Sequence, residues 1–274
     1  MKDKERYLID TFQSKYIGDD GAIVGEYIYS VDAFCEDIHF RREWMSPFQI
    51  GRKAMLVNIS DAVAMNAAAK YALLSVSLPQ NFTLGEIDQL TDGLKSAARQ
   101  WDCEIIGGDT VGGEKLNISI TLVSQSSDPL FRKAIEEGDL LAYTGTLGES
   151  RKALMALEAG RLIQDDSRFY EPTLRADFIN RARQYIRAGM DISDGLFCDT
   201  NKLLDANKYG FEILKNIDDE TGLSGEEYEM LIAVNPIFRN MIDKIAIETG
   251  TKITYFARVA TNSRRYTCHN HHFN

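Results

Sequence analysis

The stretch 189–196 reads "GMDISDGL", and it sets two carboxylates, Asp191 and Asp194, around the hydroxyl of Ser193 on one short turn of chain. Met190 and Ile192 alternate inward, as the end of a buried strand would. One acid or the serine is enough to cap a following helix; two acids ask for more. The same punctuation of acid and glycine recurs as "GDDG" at 18–21, with Asp19 and Asp20, and as "GGDTVGG" at 107–113, with Asp109. Asp32 follows an apolar run, and Asp61 sits in "VNISDAVAM" among small residues of a helix. An isolated aspartate at most of these places reads as an ordinary cap or turn former. Asp61 resists that reading, because mid-helix it caps nothing and is costly to bury unpaired. Carboxylates gathered together repel unless divalent cations lie between them. Hard oxygen donors without a Cys/His pairing favour Mg²⁺ over zinc, and Mg²⁺ held by a few carboxylates completes its shell with waters and substrate phosphates. The chemistry expected from these residues is phosphoryl transfer.

Periodicity supplies the elements that must position them. Helices are expected at 4–14, 49–68, Leu84–Gln100, 150–160, 174–187, Leu196–Asn207 and 236–249. Strands are expected at 26–34, 71–78, 103–106, 116–123, Leu140–Thr144, 211–214, 229–234 and 254–259, with 107–113 as a loop between two of them. The helix/strand alternation is regular up to about Ser127, where the polar break "SQSSDP" suggests a boundary, giving two α+β halves, 1–127 and 128–274.

Composition narrows the class. Apolar residues make up 44% and charged ones 26%, ordinary values for a globular protein. A net charge of −10 argues against nucleic acid as a partner, since that binding rests on Lys and Arg. No apolar run is long enough for a membrane span, and no signal peptide is legible at the start; a cytoplasmic protein is expected. Cys35, Cys103, Cys198 and Cys268 form no C-x-x-C pair, so all four are expected reduced. The loop at 107–113 lacks the Lys and Ser/Thr of a P-loop, for Glu114 follows Gly113. No G-x-S-x-G surrounds a serine.

Seven segments, "GDDGA", "SVDAFCEDIHF", "VNISDAVAM", "IIGGDTVGG", "YTGTLGES", "MDISDGL" and "LSGEEYEML", occur in the order and with the spacing that resemble the thiamine-monophosphate kinase family. That family lies in the superfamily of aminoimidazole ribonucleotide synthetase and selenophosphate synthetase. The resemblance runs from about Gly18 to Ala233. It implies Mg²⁺-dependent transfer of the ATP γ-phosphoryl group to thiamine monophosphate. It also implies an α/β (α+β) fold of two domains: an N-terminal mixed-sheet domain that pairs two chains through its strands, and a C-terminal α/β sandwich. Carried over by position, Asp20, Asp32, Asp61, Asp109 and Asp191 resemble the metal ligands, with Asp19 and Ser30 beside them. Asp194 matches an acid that holds a further magnesium near the substrate phosphate, so Asp191 and Asp194 are the expected catalytic acids. Gly108, Asp109, Arg132 and Ser193 match ATP-contacting positions, and Trp101 stands where an aromatic accompanies the adenine. His39 and Glu226 match substrate contacts.

Two departures stand out. The family's Ser-Thr-Asp-Thr is Ser30-Val31-Asp32-Ala33 here, so Val31 can offer a metal only its carbonyl. The family's C-terminal tryptophan is missing; Tyr266 or Phe273 is expected to hold the thiamine ring instead. His269, His271 and His272 beside Cys268 invite a zinc reading, but His272-Phe273 fits a relic of the family terminus. The alternative functions are another ATP-dependent activating enzyme of the superfamily, aminoimidazole ribonucleotide synthetase-like or selenophosphate synthetase-like, or a relative that binds these ligands without catalysis.

Overall fold

The computed structural model describes residues 4–268, so Phe273, His269, His271 and His272 lie outside the described residues. The first half runs α1 (Lys4–Phe12), β1 (Ala22–Val24), β2 (Tyr27–Cys35), α2 (Pro47–Ala64), β3 (Ala68–Pro79), α3 (Leu84–Gln100), β4 (Glu104–Gly113) and β5 (Asn117–Gln125). The second half begins with β6 (Leu140–Thr144), α4 (Glu149–Glu158), α5 (Ala176–Ala182), β7 (Ile186–Asp191) and α6 (Leu196–Asn207). It ends with β8 (Gly210–Ile213), α7 (Asp219–Gly222), β9 (Met230–Val234), α8 (Arg239–Glu248) and β10 (Ile253–Ala260).

Each half builds one five-stranded sheet. The first has the order β1-β2-β5-β3-β4, antiparallel except for the parallel pair β3–β4. The second has the order β7-β9-β6-β10-β8 and is antiparallel throughout. This is the mixed α/β, two-domain architecture that the sequence implied.

The helix at the centre is α2. Ser46 caps it through a box with Gln49, and Pro47 occupies its first turn, where a missing N–H costs nothing. Its side chains are buried nearly all round, as suits a helix enclosed on both sides. One continuous core joins Ile50, Met55 and Ile59 of α2 to Ile120 and Leu122 of the first sheet and to Ile232 and Val234 of the second. A second core lies where α6 meets the second sheet, around Met190, Leu203, Leu231 and Phe256.

Three expectations need correction. The glycines at 107–113 form no loop; β4 carries them as an exposed strand paired with β3 as far as Gly113. The helix expected over 174–187 stops at Ala182, because Ile186 onward pairs with β9 and the Arg183 guanidinium ties the turn to the carbonyls of Asp128, Pro129 and Ile186. Cys198 and Cys268, 70 residues apart, are joined as a disulfide, while Cys35 and Cys103 are free thiols. Periodicity carries no information on such a pairing: the tail must first lie along α6 to bring the two Cα atoms to 5.6 Å.

Glycine is required at Gly108 of β4 both by its φ of 154° and by close contact. A Cβ on Gly108 would lie 1.9 Å from the Leu74 carbonyl oxygen of β3, whereas one on Gly112 would meet nothing within 4 Å. Gly108→Ala is therefore expected to cost about 1–3 kcal/mol, the range for overpacking, and Gly112→Ala within about 0.5 kcal/mol of nothing. Urea midpoints of the two variants check this; equal midpoints would refute the contact.

Candidate active site

The ends of three elements converge on one acidic centre. Asp20 arrives from the turn before β1, Asp61 from the last turn of α2, and Asp191 from the end of β7. Carboxylate oxygens of the three lie within 4.8 Å of one another. The Asp20 side chain is only 2% exposed, and Asp191 is buried. Ser60 Oγ donates to Asp191 Oδ2 at 2.6 Å, and the Ser30 hydroxyl bonds to Asp61. Asp61 also stands at the C-terminal end of α2, where the helix dipole disfavours an anion and favours a cation. Arg132 braces the entrance: its backbone N–H donates to Asp19 Oδ1 at 2.7 Å, and its guanidinium pairs with Asp20.

The electrostatics match a site short of positive charge. Burial raises the Asp20 carboxyl, with Arg132 opposing it. Asp61 is held well above the ordinary range by burial, then by repulsion from Asp32, Asp191 and Asp20. Asp32 thus acts on the centre through its field, although it stands outside the group of three. Asp20 Oδ2 is buried with no hydrogen-bond partner, an orphaned acceptor turned to no protein donor. An all-oxygen donor set of this kind fits Mg²⁺.

The other expected residues are placed unevenly. Asp194 is buried, pairs with Lys202, and donates its N–H to Asp199 Oδ2 at 3.0 Å; the Ser193 carbonyl accepts from the Glu226 N–H at 2.7 Å. Val31, 60% exposed, alternates onto the opposite sheet face from Ser30 and Asp32, so its side chain takes no part. Asp109 does not join the group of three; it is exposed on β4 and accepts from the Thr110 N–H at 2.9 Å. With Gly108 it lines a cavity of about 790 Å³ between α3 and strands β3 and β4, walled by Leu74, Val76, Ile87 and Leu94. Trp101 is not in that lining: it stands at the C-terminal end of α3, packed against the core.

Of the two residues expected to contact substrate, His39 accepts the Cys35 N–H on Nδ1 at 3.0 Å, and its ring stacks on Phe34. Glu226 Oε2 accepts from Lys53 Nζ at 2.5 Å. Tyr266 is a correction. Its ring lies between Phe197 and Phe211, with centroids 4.1 and 4.5 Å away, so both faces are covered and neither is open to a ligand ring. Burial also pushes its hydroxyl up to about 12.

Sequence reasoning missed Lys53, Asp199, Lys202 and Tyr228. Tyr228 is buried at φ 52°, close enough to Glu226, Asp32, Asp191 and Asp61 that their charges, after burial, raise its hydroxyl. The available signals were an acid in the first turn of α6 and a lysine interrupting the apolar pattern of α2.

Asp191 has a pH consequence. Burial first, then repulsion from Asp20, pushes it from 3.8 up to about 8 despite the Ser60 bond. Between those values the folded state keeps a proton that the unfolded chain has released. The stability linked to this group is full below the lower value and is lost as pH rises through the higher one. We expect the Tm in EDTA to fall between about pH 4 and about pH 8, and Mg²⁺ to flatten the fall by neutralising the ionised acids. Scanning calorimetry decides; a Tm in EDTA that climbs across this window would contradict the assignment.

Comparison with known proteins accords with this geometry. The family model described as AIR synthase related protein, N-terminal domain, matches residues 18–125. Thiamine-monophosphate kinase of Aquifex aeolicus is 34% identical over 235 residues, covering 80% of this chain and 75% of that protein. The enzyme of the same name from Bacillus subtilis is 31% identical over 73% of this chain and 67% of its own length. The solved structure "AaThiL complexed with AMPPCP and TMP" superposes with a TM-score of 0.85 at 28% identity, covering 98% of this chain and 95% of that one. Identity at this level over four-fifths of the sequence, together with a shared two-domain fold, means that the chain belongs to the thiamine-monophosphate kinase family.

Proposed function

We propose that this protein transfers the γ-phosphoryl group of ATP to the phosphate of thiamine monophosphate, giving thiamine diphosphate. The observation that carries the reading is the convergence of Asp20, Asp61 and Asp191, supported by relatives named for this activity. The acids Asp20, Asp32, Asp61 and Asp191 would hold Mg²⁺, with Asp19, Ser30 and the Val31 carbonyl beside them; Asp109 is assigned to a metal contact on the nucleotide side, and Asp194 to a further magnesium near the acceptor phosphate. Bound there, magnesium supplies the charge neutralisation that phosphoryl transfer needs.

The protein's own groups do the positioning. The apolar cavity beside Gly108 suits the base of a nucleotide, since such pockets bind through apolar walls and a few polar contacts. Arg132 and Ser193 are the groups we assign to the ATP phosphates. His39 and Glu226 face the acceptor from opposite halves of the chain. The acceptor phosphate is already nucleophilic, so alignment matters more than a general base. With Tyr266 enclosed, the assignment of the acceptor ring passes to Phe273. We further propose a division at 127/128, with residues 1–127 binding ATP and Mg²⁺. No helix among the described residues is long and apolar enough to cross a membrane, and we place the protein in the cytoplasm.

The decisive experiment incubates the protein with ATP, Mg²⁺ and thiamine monophosphate and assays thiamine diphosphate by chromatography. Asp61→Asn should lower turnover by at least about 100-fold, the scale of metal-site perturbations. The same change should leave a folded protein whose metal-free Tm is unchanged or raised, because repulsion falls. Near-normal activity of this variant at limiting Mg²⁺ would remove Asp61 from the ligand set.

A homodimer belongs to the same proposal. The sheet face turned away from α2 exposes Tyr29, Val31, Tyr71 and Leu73, with Ile106 and Val111 exposed on β4. An apolar face of this extent marks an interaction surface, and a two-fold pair of sheets is the simplest closed way to cover it. Sedimentation at micromolar concentration should give a dimer, and a monomer alone would contradict this.

A further inference from the structure

Lys53 is a fully buried charged residue on the central helix of the fold. It lies on α2 with 0% of its side chain exposed, and its Nζ is 2.5 Å from Glu226 Oε2. Two rings flank the ammonium: Phe169 with its centroid at 4.3 Å and Phe34 at 5.6 Å. Phe34 in turn carries the stacked His39 ring. The lysine therefore stands between the two residues assigned to the acceptor, one from each half of the chain. A hydrocarbon side chain would fill the same space without desolvating a charge, so packing alone gives no reason for an ammonium here.

Glu226 is held in an unusual posture. Its φ is 54°, a left-handed conformation that a side chain rarely adopts. Its N–H donates to the Ser193 carbonyl at 2.7 Å, and its own carbonyl accepts from Ser150 Oγ at 2.9 Å. Lys53 fixes the remaining freedom, that of the side chain. One carboxylate oxygen is engaged, while Oε1 has no hydrogen-bond partner among the described residues and the side chain stays 24% exposed. A carboxylate so held keeps an acceptor for an amino group or a cationic ring.

Helix α2 adds a distance. Asp61 lies eight residues beyond Lys53 on the same helix, about 12 Å along its axis at 1.5 Å per residue. We infer that Lys53 is a positioning residue for acceptor binding: it orients Glu226 and, through the rigid α2, sets the spacing between that carboxylate and the acidic centre. The inference rests on the reading of Glu226 as an acceptor contact.

The test measures KM for thiamine monophosphate, kcat, and ATP affinity for the wild type, Lys53→Met, Lys53→Arg, Glu226→Gln and the double variant Lys53→Met/Glu226→Gln. We expect Lys53→Met and Glu226→Gln each to raise KM about tenfold, with kcat within about twofold and ATP affinity unchanged, the pattern of lost binding rather than lost chemistry. Because the two act as one unit, the double variant should match Glu226→Gln alone. Lys53→Arg, which keeps the charge, should recover part of the KM. A KM unchanged in Lys53→Met, or single effects that multiply in the double variant, overturns the inference. If Lys53→Met alone fails to fold, the double variant, with both charges removed, carries the same decision against Glu226→Gln. Wild-type protein that makes no thiamine diphosphate overturns the acceptor reading and this inference with it. Turnover with an unaffected KM overturns this inference alone.

Discussion

Three carboxylates that approach within 4.8 Å with little solvent between them repel one another, and elements that can give way would let them separate. Each is instead carried where movement is expensive. Asp61 ends a helix enclosed between two sheets, and Asp191 ends a strand whose neighbouring residues are buried. Asp20 follows from a turn tied to the second half by Arg132. The surrounding polar groups are arranged to the same end: Ser60 and Ser30 bond to two of the acids, and Arg132 and Lys202 bring positive charge to the flanks. What the protein leaves unsatisfied, an oxygen of Asp20 among them, is what a hard cation would take.

Much of this was legible in the chain because the signals are local. The boundaries of α3, α6 and β6 follow from caps and periodicity, and Thr83 with Glu86 closes α3 as a capping box should. The acids at 20, 61 and 191 stood out by type and setting before any geometry was known. The failures share one cause, which is that the deciding contact was distant. A glycine run reads as a loop until β3 supplies a partner. Trp101 and Tyr266 looked available because aromatic character is visible in sequence and the neighbour covering a ring is not. Lys53 drew no notice in the sequence because the partner that gives it a role, Glu226, lies 173 residues away.

The position of α2 ties the two sheets thermodynamically. Because one core runs from the first sheet through this helix to the second, neither half can lose its packing without exposing apolar surface on the other. A ligand bound at the acidic centre touches the helix and both sheets, and so its binding energy stabilises the whole chain rather than one half.

The strand order also fixes a sequence of events during synthesis. Asp20 and Asp61 leave the ribosome long before Asp191, and β7, which carries Asp191, sits at a sheet edge with β9 as its one strand partner. Translation must therefore proceed past Val234 before β7 gains its strand partner and Asp191 is fixed in a sheet. Until then the nascent chain carries two acids close together without the third, and the first sheet waits with α2 exposed on the side that the second sheet will cover. The outer face of α6 closes later still, when Tyr266 emerges and settles between Phe197 and Phe211. Between those two moments the growing chain leaves apolar surface of α2 and of the second sheet uncovered, and that is when it has most need of chaperones.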